Sequence, residues 1–215
     1  MVLEAVVSDM DGVIVNTTPA HFESWKLMLA ELGRTITPAD YQEKLNGMAR
    51  IEGTRRILPD LDDAAHQKAA ERKQALFLEL IKEGVEIYQS TIDLLQAARD
   101  RGLQTAAVSS SRNCEGILKS IGIYDTFDVV VTGNDVARAK PDPQIFLLAA
   151  EKLGRAPAEC VVLEDTRNGV DAALRGGFPC VGIDRTGTPR LLEGADLIVG
   201  DLSEVDCARL FEMCR

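Results

Sequence analysis

Apolar residues along the chain follow two rhythms that alternate. Nearly continuous apolar runs, "EAVVSD" at 4–9, "LQTAAVS" at 103–109, "FDVVVTG" at 127–133, "CVVLED" at 160–165 and "PCVGID" at 179–184, have the length and β-branched content of strands buried on both faces. A shorter run, "LIVG" at 197–200, ends the series. Between the runs the apolar spacing becomes helical: a helix ending near Gly102, then "CEGILKSIG" at 114–122, "PQIFLLAAEKLG" at 143–154 and "NGVDAALRGG" at 168–177. Such alternation predicts right-handed crossovers and a parallel sheet covered by helices on both faces, an α/β fold.

Residues 16–86 break the alternation, because their start and stop signals are all helical. Thr18 and Pro19 open a helix that Gly33 stops, Thr37 and Pro38 open one that Gly47 stops, and Asp62 precedes a long one ending at Gly84. The pattern predicts a core domain of residues 1–15 and 87–215 and an inserted helical-bundle cap of residues 16–86. Short hinges are expected near residues 14–18 and 84–89, with no repeat or low-complexity linker between.

The strand ends carry polar residues of unlike kinds. The first strand runs into Asp9 and Asp11, the second into Ser109, Ser110 and Ser111, the third is followed by Lys140 and Pro141, and the fourth ends in Glu164 and Asp165. Ligands of open parallel sheets bind beyond the carboxyl ends of the strands, where these groups would meet. Each alone is compatible with a helix cap or turn. Capping does not require two acidic sites and a lysine at one rim, so the set points to chemistry. Asp9 and Asp165 offer hard oxygen ligands of the kind Mg²⁺ takes. With a phosphoryl group neutralised by the metal and Lys140, an aspartate can attack phosphorus while Asp11 moves a proton at the bridging oxygen. Ser109 would donate to a phosphoryl oxygen.

Composition narrows the partner. A chain of 215 residues with 46% hydrophobic content can bury a sizeable core. Its 34 acidic and 24 basic residues give a net charge of -10, and no long basic stretch is available for a nucleic acid or an anionic membrane. A small-molecule partner is expected. The five cysteines form no C-x-x-C pair and predict neither a disulfide framework nor a zinc site, which fits a reducing cytoplasm. No stretch approaches the roughly 18 apolar residues of a membrane span, and Glu4 and Asp9 interrupt any signal-like start, so the expectation is neither export nor membrane insertion. A monomer is expected, because cap motion needs no partner.

Together, "DMDGV" at 9–13, "VSSS" at 108–111, "AKPDP" at 139–143 and "LEDTRNGV" at 163–170 resemble, in order and over nearly the whole chain, the haloacid dehalogenase superfamily of phosphatases and phosphomutases. The resemblance implies a Rossmann-like core with Asp9 as nucleophile, Asp11 as general acid/base, and Ser109, Ser110 and Lys140 as phosphate binders. It also implies Mg²⁺ held by Asp9, the Asp11 backbone carbonyl and Asp165, with Glu164 supporting the metal site. The inserted segments "TTPAHFESWK", "LNGMAR" and "ERKQ" resemble the cap of β-phosphoglucomutases, implying that Thr17, His21, Trp25, Gly47, Arg50 and Lys73 line a closed interface. Such mutases interconvert β-glucose 1-phosphate and glucose 6-phosphate through an aspartyl-phosphate and a bisphosphate, whose second phosphate the Arg50 guanidinium is suited to hold.

Other readings stand beside this one. His21 and Trp25, four residues apart on one helical face, are also compatible with cap packing, and Arg50 and Lys73 with solvated helix charges. Ala49 and Gly53 stand where such mutases commonly carry serines, which leaves a different sugar phosphate, or a phosphatase acting on a small phosphorylated metabolite, open. A non-catalytic phospho-signalling receiver also gathers acids and a lysine around Mg²⁺, but receivers have no helical insert after the first strand and carry their phosphorylated aspartate on a later one.

Overall fold

The computed structural model describes residues 2–82 and 84–214. Its centre is a six-stranded sheet whose pairings are all parallel. In chain order the strands are β1 (Ala5–Asp9), then β4 (Gln104–Ser109), β5 (Val129–Thr132), β6 (Cys160–Glu164), β7 (Cys180–Ile183) and β8 (Leu197–Val199). They lie in the order β5-β4-β1-β6-β7-β8, and a separate ladder is formed by β2 (Val15–Asn16) and β3 (Glu86–Ile87). Strand β1 sits between β4 and β6, and all five of its residues are buried.

The period-2 alternation divides each central strand between two apolar layers. Val6, Ala107, Val161 and Leu163 face one layer. There they meet α5 (Gln89–Arg99), α6 (Cys114–Ser120) and α9 (Cys207–Met213) through Leu94, Leu118 and Leu210. Ala5, Val7, Ala106, Val108 and Val162 face the other layer. There α7 (Gln144–Leu153) and α8 (Arg167–Arg175) cover them with Ile145, Phe146, Ala149, Val170 and Ala173. The spacing of Ile145, Ala149 and Leu153 places all three on one helix face. These runs are hydrophobic throughout because both sides of the sheet are covered.

Between β2 and β3 lie α1 (Thr18–Glu31), α2 (Pro38–Lys44), α3 (Arg50–Ile57) and α4 (Asp63–Leu80). They have an apolar cluster of their own, including Trp25, Met28, Leu29, Tyr41, Leu58 and Leu76. The Thr37 hydroxyl accepts from the Asp40 amide at 3.1 Å while the Asp40 carboxylate accepts from the Thr37 amide at 3.3 Å, a reciprocal cap that starts α2. Asp62 caps α4 by accepting from the Ala65 amide at 2.8 Å. The chain enters and leaves this helical part through the antiparallel β2–β3 ladder, Val15 opposite Ile87 and Asn16 opposite Glu86.

Three features go beyond what the sequence pattern predicts. The β2–β3 ladder is too short to leave a period, α9 near the C-terminus is only two turns long, and α3 is distinct from α2. The break between α2 and α3 follows from Gly47 at φ +72° and from Ala49 in extended conformation just before α3. Among the described residues no helix is long and apolar enough to cross a membrane, and all five cysteines are free and buried.

Candidate active site

Because β4, β1 and β6 are neighbours, their last residues, Ser109, Asp9 and Glu164, arrive at the same rim. Lys140, from the loop after β5, is buried between two of them: its Nζ donates to Asp9 Oδ1 and, at 2.6 Å, to Glu164 Oε1. Burial alone would pull this ammonium down, but the charges of Asp9 and Glu164 and their hydrogen bonds hold it above the ordinary lysine range. For Asp9 burial dominates in the other direction. Even against the attraction of Lys140 its carboxyl is raised well above the usual range, with Glu164 and Asp11 adding to the rise.

Glu164 is fixed by Thr166, whose amide and hydroxyl donate to its Oε2 at 2.6 and 2.9 Å. Gly169, in α8, leaves room for that carboxylate, which any Cβ there would strike. Asp165 packs against Gly12 in the same way; Gly12 has φ +84°, and a Cβ on it would collide with the Asp165 carboxylate. One Asp165 oxygen, Oδ1, is buried with no hydrogen-bond partner, and burial, then the charges of Glu164 and Asp9, raise this carboxyl well above the usual range. Carboxylate oxygens of Asp9, Glu164 and Asp165 lie within 4.8 Å of one another. Three crowded carboxylates, one with an orphaned oxygen and, among the described residues, a single ammonium paired with them, form a donor set that fits a hard divalent cation.

Asp11 lies in a tight loop after β1, where the Gly12 amide donates to the Val15 carbonyl at 2.8 Å. Its Oδ1 accepts from Thr17 Oγ1 at 2.6 Å, its Oδ2 accepts from Ser109 Oγ at 2.5 Å, and His21 Nε2 lies 3.4 Å from Oδ1. Burial acts to raise Asp11, but the hydrogen bond and charge of His21 and the hydrogen bonds of Ser109 and Thr17 outweigh it and bring the carboxyl to about 2. His21 stacks on Phe77, ring centroids 4.1 Å apart, and its Nδ1 lies 2.7 Å from Lys73 Nζ. Burial, then the Lys73 charge, lowers the imidazole. Lys73 is 1% exposed, its ammonium faces the rings of Phe77 and Trp25, and burial, then the charge of Arg50, pushes it down to about 7. A neutral imidazole accepting from Lys73 at Nδ1 and turning Nε2–H toward Asp11 satisfies all three groups.

Sheet rim and helices enclose one cavity of about 490 Å³. Of the residues singled out in the sequence, Asp9, Asp11, Ser110, Lys140 and Glu164 line it from the rim, and His21, Trp25, Gly47, Arg50 and Lys73 from the helical side. Gly47 closes the gap between the two: a Cβ on it would come within 2.8 Å of Thr166 Oγ1. Three candidates lie elsewhere. Thr17 and Ser109 are fully buried behind Asp11, and Asp165 lines a smaller cavity of about 200 Å³. Ser109, expected to face a phosphate, has its hydroxyl committed to Asp11 and accepts the Ser111 amide at 2.9 Å; Ser110 and Ser111 face the cavity instead.

Sequence reasoning missed Arg112 and Tyr41, both of which line the cavity. Arg112 directly follows the serine run, so its place beside a proposed anion site was a usable signal. Arg50, half-buried, donates from Nη1 to the Ala70 carbonyl at 3.5 Å, and burial, then the Arg112 charge, lowers it from the ordinary guanidinium value. The two guanidinium groups thus add positive charge to a cavity that already holds Lys140 and Lys73.

The chain is similar to known proteins. A family model described as haloacid dehalogenase-like hydrolase matches residues 3–177. The beta-phosphoglucomutase of Bacillus subtilis (strain 168) is 33% identical over 220 residues, covering 98% of this chain and 95% of that protein. The phosphorylated carbohydrates phosphatase of Thermotoga maritima is 31% identical over 183 residues, covering 82% of each. The crystal structure of beta-phosphoglucomutase from Clostridium difficile superposes with a TM-score of 0.90 at 28% identity, covering 99% of this chain and 97% of that one. Both relatives move or remove phosphoryl groups, the fold is the Rossmann-like one of the matched structure, and the chain belongs to the haloacid dehalogenase-like hydrolases as a phosphoryl-transfer enzyme.

Proposed function

We propose that the protein is a Mg²⁺-dependent sugar phosphomutase that interconverts β-glucose 1-phosphate and glucose 6-phosphate. Residues 16–86 act as a movable cap over a core of residues 1–15 and 87–215. The observation that carries this reading is a cationic pair in the cavity, Arg50 and Arg112, additional to the single Lys140 that serves Asp9. A phosphatase needs one phosphate subsite; a bisphosphate intermediate needs two.

In the cycle, an Asp9 oxygen attacks phosphorus, the bond from phosphorus to the sugar oxygen breaks, and Asp11 delivers a proton to that oxygen. In the return step a sugar hydroxyl attacks the phosphorus of phospho-Asp9, the bond from phosphorus to the Asp9 oxygen breaks and frees the carboxylate, and Asp11 takes up the hydroxyl proton. The low value of Asp11 suits it to the second step, where it must begin ionised. Lys140 holds Asp9 in place, and Trp25 and Lys73 exclude water from the sugar side. Asp9, Glu164, Asp165 and the Asp11 carbonyl would hold Mg²⁺, which supplies neutralisation of the phosphoryl charge.

Supplying β-glucose 1-phosphate, Mg²⁺ and a trace of the bisphosphate tests the reading: glucose 6-phosphate should accumulate faster than free phosphate. Release of phosphate without isomerised sugar would leave the phosphatase reading. That second reading is favoured by Ala49 and Gly53, which provide no hydroxyls to a sugar. Removing the Arg50 guanidinium in Arg50→Ala is expected to cost about 1.5–3 kcal/mol of transition-state binding, roughly 10–150-fold in mutase kcat/KM. First-turnover phosphorylation of Asp9 by a small phosphate donor with no second phosphate should change little, and an equal loss on both would contradict the subsite.

The cation should also alter stability with pH. Burial raises Asp9 and Asp165, so between their unfolded and folded values the folded state binds more protons than the unfolded one. The metal-free protein therefore loses stability as pH rises through that window, and a bound cation, which holds the carboxylates ionised, opposes the loss. Mg²⁺ at about 100 times its Kd should add about 2.7 kcal/mol. In melting curves this is an expected gain of about 5–10 °C near neutral pH. The gain should shrink toward pH 5, and equal gains at both pH values would contradict the assignment.

A further inference from the structure

Arg185 follows β7 and lies outside the cavity, yet its side chain is attached to the loop that carries Asp11. Its Nε donates to the Gly12 carbonyl at 2.8 Å, one residue beyond Asp11. Its guanidinium lies over the Tyr88 ring, 3.5 Å from the centroid, and Tyr88 is the first residue after β3. Its Nη1 lies 3.2 Å from Asp201 Oδ2, and its Nη2 is buried without a protein partner. A buried donor left unpaired costs about 1–3 kcal/mol, so holding the guanidinium here must be offset by what the other nitrogens do.

Those bonds complete a row. Three successive carbonyls of the Asp11 loop accept from groups outside it: Gly12 from Arg185, Val13 from Thr91 Oγ1 at 2.6 Å, and Ile14 from the Tyr88 amide at 2.9 Å. The last two donors belong to the segment leaving β3, so the loop is stitched to the exit of the second linker. Arg185 is held by both, through its bond to Gly12 and its stacking on Tyr88. Gly12 is buried, at φ +84°, and pressed against Asp165. Its peptide orientation sets the backbone from which the Asp11 side chain projects. Without Arg185 the Gly12 carbonyl loses its side-chain donor and the peptide its fixed orientation, so the loop is free to turn and carry Asp11 away from the rim.

We propose that Arg185 is a positioning residue for Asp11, holding the Gly12 peptide and the second linker in the one arrangement that places the Asp11 carboxyl at the bridging oxygen. The inference rests on the reading of Asp11 as general acid/base. A proton donor matters when the leaving group is a sugar alkoxide and little when it is p-nitrophenolate, and a merely structural role would not distinguish the two.

The experiment compares first-turnover rate constants at saturation for β-glucose 1-phosphate and p-nitrophenyl phosphate in Mg²⁺-loaded wild type, R185A, R185K and D11N. D11N should lose about 10²–10⁴-fold on the sugar phosphate and far less on the nitrophenyl ester. R185A should show the same selectivity at smaller size, about 10–100-fold on the sugar phosphate. KM and the nitrophenyl rate should stay within about threefold, and R185K should recover part of the loss. If D11N is selective but R185A lowers both substrates equally, or neither, Arg185 does not position Asp11. If D11N itself is unselective, the acid/base reading of Asp11 falls and the role of Arg185 falls with it. Should melting curves show R185A unfolded, R185Q, which keeps one planar amide donor, takes its place: selective loss on the sugar phosphate supports the positioning role, and equal loss or none overturns it.

Discussion

Asp9→Asn is expected to abolish turnover of every phosphorylated substrate, with a loss on the order of 10⁴–10⁶-fold in kcat, while the fold survives. The amide has the shape of the carboxylate but no charge with which to attack phosphorus. Lys140 keeps its bond to Glu164 at 2.6 Å in the variant, and Glu164 and Asp11 lose a buried negative neighbour, so stability should change by no more than about 1–2 kcal/mol. Steady-state kinetics with a melting curve separates the two effects. Residual activity above about 1% of wild type would show that another group accepts the phosphoryl.

The second large effect is on stability. Among the described residues Lys140 is the only ammonium paired with either Asp9 or Glu164, and all three are buried. Lys140→Met leaves two carboxylates facing each other in a site of low dielectric, and breaking a buried pair in this way costs about 3–5 kcal/mol. The sign with pH follows from the raised Lys140 value. Its contribution is fully present below the unfolded lysine value and is lost only as pH rises through the higher folded one, so wild type keeps all of it at neutral pH. In the variant, acid relieves the repulsion by protonating a carboxyl. The deficit measured by urea unfolding should therefore be largest near pH 8 and smaller near pH 4.5. A deficit that grows in acid would contradict the buried triad.

Much of the fold was legible because a parallel sheet writes itself into the sequence twice. Its strands are continuous apolar runs, and its ligand-binding rim is simply the residues at which those runs stop. Asp9, Glu164 and Lys140 could be assigned to one place from order alone, since β1 is bound to lie near the strands that follow it. Orientation was less legible. Nothing in "VSSS" says that the first hydroxyl turns back to Asp11 while the next residues face the cavity; that depends on the pleat of β4 against a loop one strand away. The same holds for Gly12 and Gly169, whose missing side chains are explained only by carboxylates more than a hundred residues away, in the first case, or five residues back at the end of β6, in the second. Arg112 has no periodicity to mark it, and only its position directly after the serine run signals a place at the rim. Arg185 left no local signal because its partners, Gly12, Tyr88 and Asp201, come from three distant segments.

The most direct measurement is chemical. Enzyme mixed with Mg²⁺ and ³²P-labelled sugar bisphosphate, quenched in acid within one turnover and digested, should yield a single labelled peptide whose phosphoryl group maps to Asp9 by tandem mass spectrometry. On adding unlabelled β-glucose 1-phosphate before the quench, the label should pass to sugar bisphosphate rather than to water. Label on any other residue, or steady turnover with none trapped on the protein, would contradict a covalent phospho-Asp9 intermediate.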